Sequence, residues 1–163
     1  MTKKPGYRGY ISSRPILDNR VPQHVQNLVI RDYCASNNLH FLLSATEYAM
    51  PNCYIMLEQV LKESVDTQGL VLYSLFQLPH NKSARMRIYN TLLERHTELH
   101  MAVEGLVVKD EESVQRVEDI WLVYQTMNSG RNSTVINNKP AGSNNAPGFG
   151  FGDDFFPGFG DCG

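Results

Sequence analysis

Cysteine is scarce in this chain, with three in 163 residues, at positions 34, 53 and 162. An odd count with no C-x-x-C spacing is neither a disulfide framework nor a thiolate metal site, and it suits reduced thiols in a cytoplasm. Long apolar runs are missing too: no stretch reaches the roughly 18 residues a membrane helix needs. Met1-Thr2-Lys3-Lys4 leads into Pro5-Gly6 and not into the apolar core of a signal peptide. A cytoplasmic protein without a membrane partner is therefore expected. Positive charge is not in excess either. Fifteen Lys and Arg stand against 17 Asp and Glu, a net −2, which offers no global field for nucleic acid, and no nucleic-acid partner is expected. The five histidines show no H-x-H or H-E-x-x-H spacing, so no metal is expected. No glycine-rich phosphate fingerprint is present, and no cofactor is expected.

What the chain does have is a regular alternation of strand-like and helix-like segments. Tyr7 to Ser13 reads as a first strand, and Pro22 suits the first turn of a helix because its φ is already helical. Val25, Leu28, Val29 and Tyr33 then recur at helical spacing. Leu39 to Ala45 is a nearly continuous apolar run, as a strand buried on both faces should be. Pro51 is placed at the start of a second helix, carrying Tyr54, Leu57, Val60 and Leu61. Gly69 to Phe76 is the most strand-like segment of all. A third helix spans about 82–97 with Ala84, Ile88 and Leu92 inward, and Leu99 to Val103 is a fourth strand. Leu106-Val107-Val108 extends it or forms a small edge strand. Glu111 and Glu112 suit the positive end of a last helix, lined by Val114, Val117, Ile120, Trp121 and Tyr124. The pattern predicts an α/β fold: a doubly wound, mostly parallel sheet of four to five strands with helices on both faces. The expected division is a flexible stretch 1–6, one domain over 7–128, and a disordered Gly/Asn/Phe-rich tail over 129–163.

In such a sheet, ligands gather outside the carboxyl ends of the strands, where the strand order reverses. Polar residues cluster there in this chain. Ser12, Ser13, Arg14, Arg20 and Gln23 surround the first strand end, with Gln26 beside them, and the arginine forks suit carboxylate or phosphate. Thr46, Glu47, Tyr48 and Asn52 follow the second strand, Tyr73, Ser74 and Gln77 the third, and Glu104 the fourth. Glu47 and Glu104 are the candidates for acid/base chemistry, and the others are candidates for ligand binding. Turn and capping duties are the competing account of Asn52 and its neighbours. Trp121 with Tyr124 suits either core or a homodimer face on the last helix.

Two resemblances surface at these residues. Arg8-Gly9-Tyr10-Ile11 with Ser13-Arg14-Pro15, Asn19 to Asn27, Ile30 to Cys34, Leu43 to Tyr54, Tyr73 to Pro79, Ala102 to Gly105 and Glu118 to Trp121 are similar to the sporadic carbohydrate cluster proteins of bacterial surface-polysaccharide biosynthesis. That resemblance spans about 7–127 and implies a role in making or modifying a sugar. The implied ligand is a sugar, acidic sugar or nucleotide sugar at the strand ends. More distantly, the order of elements and Gly9-Tyr10 followed by serine and arginine resemble the catalytic domain of serine recombinases (resolvases). The chain departs from that pattern. Those enzymes read Arg-x-Ser at the strand end, where this chain reads Ser12-Ser13-Arg14. Their third strand is followed by Asp-Arg-x-x-Arg, where this chain has Phe76-Gln77-Leu78-Pro79-His80. The leading expectation is a protein of carbohydrate biosynthesis. The alternative is a non-catalytic interaction module with a recombinase-like fold and no DNA-cleaving activity.

Overall fold

A computed structural model of the chain describes residues 6–133. The elements in order are β1 (Tyr7–Ser12), α1 (Gln23–Ser36), β2 (Phe41–Glu47), α2 (Ile55–Glu63), β3 (Gly69–Leu72), a short 3₁₀ turn (Leu75–Gln77), α3 (Lys82–Glu94), β4 (Glu98–Met101), β5 (Leu106–Val108) and α4 (Glu111–Ser133). The strands form one five-stranded sheet in the order β2-β1-β3-β4-β5. β1 to β4 run parallel, and β5 returns antiparallel against β4 across a tight turn. The strand order reverses at β1, between β2 and β3, as the doubly wound pattern requires. The α/β expectation holds.

Alternation along the strands divides the core. Tyr10, Ala45, Leu70, Leu72, Leu99, Met101 and Val108 face α2, α3 and α4, where Leu57, Val60, Ile88, Leu92, Val117 and Trp121 cover them. Tyr7, Ile11 and Val71 face the other way, under Ile30 and Cys34 of α1. Three helices thus share one face and α1 holds the other. Gly69 stands where a β-carbon would run into the Tyr7 ring from the neighbouring strand, so the close pairing of β1 and β3 depends on it.

Several boundaries move from their predicted places. β2 runs two residues past Ala45, so Thr46 and Glu47 belong to the strand and not to the loop. α2 begins at Ile55 and not at Pro51, because Asn52 turns the chain left-handed at φ 56°. β3 stops at Leu72, four residues short of Phe76, where Ser74 caps the 3₁₀ turn with its side chain. Gly6 is no loose end: it is buried, and its carbonyl accepts the Gln68 amide at 2.9 Å. At the other end, 129–133 continue α4 in place of the disorder expected from 129 onward. Once a helix is nucleated each added residue gains a hydrogen bond, which offsets the roughly 1 kcal/mol that Gly130 costs. The rest of the tail, like residues 1–5, lies outside the described residues.

Two buried stripes also differ from their expected registers. α1 turns Gln26, Ile30 and Cys34 inward and leaves Leu28 exposed. α3 buries Arg85, Ile88, Tyr89 and Leu92, with Arg85 in the place expected for Ala84. Both shifts put a polar residue in the core, and both are compensated by hydrogen bonds that apolar periodicity does not reveal.

Beneath α1, the amino ends of the strands carry a chain of titratable groups. Tyr7 donates to Glu98 Oε2 at 2.7 Å, His100 Nε2 lies 3.2 Å from the same oxygen, and the Tyr33 hydroxyl lies 3.0 Å from His100 Nδ1. Burial holds the His100 pKa below its ordinary value even though Glu98 opposes the shift. Burial raises Glu98, but hydrogen bonds from Tyr7 and His100 outweigh it and hold that carboxyl low. A histidine with a lowered folded pKa binds its proton more readily when unfolded. Stability is therefore full above the unfolded value of about 6.5 and falls as pH drops from there toward the lower folded value. Glu98 begins to withdraw its own contribution only below the ordinary carboxylate range. Urea unfolding at about pH 7.5 and about pH 5 should show the wild type losing stability that His100→Gln does not lose. Equal losses in the two proteins would dismiss His100 as the cause.

Candidate functional site

The polar strand ends do converge, on the carboxyl edge of the sheet around β1, β2 and β3. At the centre is Gln26, a fully buried glutamine reaching back from α1. Its Oε1 accepts the Ser12 amide at 3.0 Å, and its Nε2 donates to the Ser12 carbonyl at 2.7 Å and to Val21 O at 2.8 Å. The side chain thus pairs with the end of β1 much as a further strand residue would. Gln77 completes the arrangement from the 3₁₀ turn. Its Nε2 donates to Gln26 Oε1 at 2.9 Å and to Ser12 Oγ at 3.2 Å, while its Oε1 accepts the Tyr73 and Ser74 amides. Ser12 is consequently buried, with its hydroxyl engaged by an amide.

A second chain of bonds crosses to β2 and α2. Arg14 donates to Cys53 O at 2.6 Å and to the Tyr10 hydroxyl at 3.0 Å, and its guanidinium lies 4.1 Å from the centre of the Tyr54 ring. Tyr10 in turn donates to Glu47 Oε2 at 3.1 Å. Burial lifts the Tyr10 pKa well above its usual value; Arg14 opposes this and Glu47 adds to it. The phenol is therefore a fixed donor at neutral pH. Burial also raises Tyr54, again with Arg14 in opposition.

Both candidate acid/base carboxylates are occupied by the main chain. Glu47 is buried and accepts the amides of Met56 at 3.2 Å and Leu57 at 3.0 Å, the unpaired donors of the first turn of α2, as well as its neighbour Tyr48 at 3.2 Å. A carboxylate there satisfies donors the helix cannot and sits at the positive end of its dipole. Glu104 accepts the Ser74 hydroxyl at 2.6 Å and the Leu75 amide at 3.0 Å, capping the 3₁₀ turn. No hydrogen bond joins the two glutamates, and each serves a different helical turn. A pair working on one substrate atom is not the arrangement seen.

The other candidates divide into engaged and exposed groups. Ser13 Oγ accepts from Gln23 Nε2 at the start of α1. Ser74 is buried and accepts the Phe76 amide, and Tyr73 packs with its ring half-buried beside Val71. Arg20, Thr46, Tyr48 and Asn52 are exposed. Tyr10 and Tyr54 were not expected in the site. They look like ordinary core positions on their elements, and only the fold brings their hydroxyl and ring to Arg14. The site has many hydrogen bonds between its own members and few groups left to act on a substrate.

A second charged cluster lies deeper, behind the loop that follows β3. Arg85 forms a two-pronged pair with Glu118 of α4, at 2.7 and 2.9 Å, with both side chains buried. It also donates to the carbonyls of Pro79 and His80 and lies 4.2 Å from the Trp121 ring centre. Burial lowers the pKa of the adjoining His80, and the charges of Arg85 and Arg14 add to the effect. Trp121 is core, while Leu122, Val123 and Met127 are exposed on the outward side of α4.

Comparison with solved structures places this fold. The N-terminal catalytic domain of TP901-1 integrase matches with a TM-score of 0.52 at 7% identity, covering 78% of this chain and 98% of its own. A resolvase family site-specific recombinase from Streptococcus pneumoniae matches with a TM-score of 0.53 at 12% identity, covering 78% and 97%. No family model and no curated protein matches the chain, so the resemblance to sporadic carbohydrate cluster proteins finds no support there. The expected partners need correcting. The expectation of a sugar or nucleotide-sugar ligand with nucleic acid excluded is overturned by these neighbours, an integrase catalytic domain and a site-specific recombinase. A net charge of −2 describes the whole chain and does not decide what one face of it meets. At these identities the likeness concerns the fold: the described domain has the architecture of a resolvase-type catalytic domain.

Proposed function

We propose that this chain is a non-catalytic interaction module that has the recombinase catalytic-domain fold and does not cut DNA. The observation that carries the reading is the closure of the strand ends upon themselves. Serine attack on a phosphodiester needs an accessible hydroxyl, a group to take its proton, and cationic groups around the charge that develops. Ser12 is buried and bonded to Gln77. Ser13 is bonded to Gln23, and the guanidinium beside it, Arg14, is engaged by Cys53 O, Tyr10 and Tyr54. After β3, where recombinases carry arginines, stands Gln77, and the next arginine along the chain, Arg85, is buried against Glu118. At Ser12 and Ser13 the side-chain hydroxyls meet glutamine amides and not guanidinium groups. Incubation with supercoiled DNA, followed by denaturing electrophoresis, should yield neither strand breaks nor a protein–DNA adduct. An adduct lost in Ser13→Ala would refute the reading.

A further inference from the structure

The loops above the strand ends present an apolar surface that the fold itself does not cover. Leu17 is 41% exposed, Tyr48 56%, Met50 47% and Ile55 42%. Leu17 belongs to the β1–α1 connection, Tyr48 and Met50 to the β2–α2 connection, and Ile55 to the first turn of α2; Arg14 ties the two connections together through Cys53 O and the Tyr54 ring. Leu17 stands at the tip of a tight turn closed by mutual hydrogen bonds between Ile16 and Asn19 at 2.8 and 3.0 Å. Leu17 and Asp18 both take left-handed φ angles, 51° and 64°. That conformation is costly for leucine, and here it holds an apolar side chain outward. Arg20 is exposed at the base of the same turn.

The last helix delivers the rest of the chain to this edge. α4 starts beside β5, whose Val108 pairs with Leu99 near the amino end of β4. It then rises across the sheet until Trp121 and Tyr124 meet Phe76 and His80, which follow β3. Its final turns therefore project past the carboxyl edge. Thirty residues, 134–163, follow them. The last sixteen, 148–163, carry five of the chain's seven phenylalanines and three aspartates, Asp153, Asp154 and Asp161, with no lysine or arginine. Fourteen residues, 134–147, lie between the end of α4 and that segment in the sequence.

We infer that the Phe-Gly segment 148–163 docks, within the same molecule, on the carboxyl-edge surface formed by Leu17, Tyr48, Met50 and Ile55 beside Arg20. Phenylalanines suit the apolar loop tips, and three aspartates suit an arginine-bearing rim. The tether keeps the segment's local concentration high, so modest contacts suffice.

The test compares amide NMR spectra of the intact chain with those of an intact chain carrying F149S, F151S, F155S, F156S and F159S. Signals from about 14–20 and 48–55 should shift between the two, while those of β3 stay in place. The shifts should be unchanged on tenfold dilution. Arg20→Glu in the otherwise natural chain should move the signals of 148–163 toward those of the five-serine variant. Unperturbed loop signals, shifts confined to Leu122–Met127 of α4, or shifts that fade on dilution would each overturn intramolecular docking at this edge.

Discussion

Arg85→Met is expected to lower the free energy of unfolding by about 3–5 kcal/mol, the range seen when one member of a buried ion pair is removed. The guanidinium it deletes holds Glu118 at 2.7 and 2.9 Å, donates to Pro79 O and His80 O, and lies over Trp121. Methionine fills similar volume, so the cost is chiefly electrostatic. Glu118 is left buried with only the Tyr89 hydroxyl, 3.2 Å away, as a side-chain donor. For a domain of this size the midpoint of thermal unfolding should fall by roughly 10 °C or more. The double variant Arg85→Met, Glu118→Leu should be markedly more stable than Arg85→Met alone, because it no longer buries an uncompensated charge. Thermal and urea unfolding of the four proteins of the cycle would measure both effects. A neutral single variant would mean that water reaches the pair and that α4 is held by its apolar contacts alone.

Glu47→Ala is the second large loss, expected at about 3 kcal/mol. It strands the Tyr10 hydroxyl and the amides of Met56 and Leu57 beneath the loop, and each buried unmet donor costs about 1–3 kcal/mol, partly recovered by relaxation. Glu47→Gln keeps an acceptor in place and gives up only the charge at the start of α2, so about 1 kcal/mol is expected. The graded order Ala worse than Gln is the signature of a cap. If Glu47 were instead held ready for acid/base chemistry, both substitutions would leave stability untouched or improve it, as active-site residues often do. Denaturation curves for the two variants separate the alternatives directly.

These two residues also show where sequence and structure part. Val71 and Leu72 lie in an unbroken apolar run because both faces of β3 are covered, and periodicity detects that without knowing by what. The β–α alternation, the parallel sheet and the polar character of the strand ends were legible for the same reason. They depend on residues near one another in sequence. Periodicity puts Ala84 in the core and does not single out Arg85, since an arginine is placed inside only when its partner is known, and Glu118 is 33 residues away. Gln26 was grouped with the strand-end loop, but its role as the hub joining β1 to Gln77 depends on a contact across 51 residues. Glu47 has the appearance of a catalytic carboxylate in one dimension and that of a helix cap in three.

Hydrophobic periodicity and chain connectivity are local properties, and they suffice for the class of fold, the order of its elements and the edge at which polar groups gather. They do not determine whether those polar groups face a ligand or one another. That question is answered in three dimensions, because hydrogen-bond partners are assigned by distance in space. There, Gln26, Gln77, Arg14, Tyr10 and Glu47 find their partners within the protein.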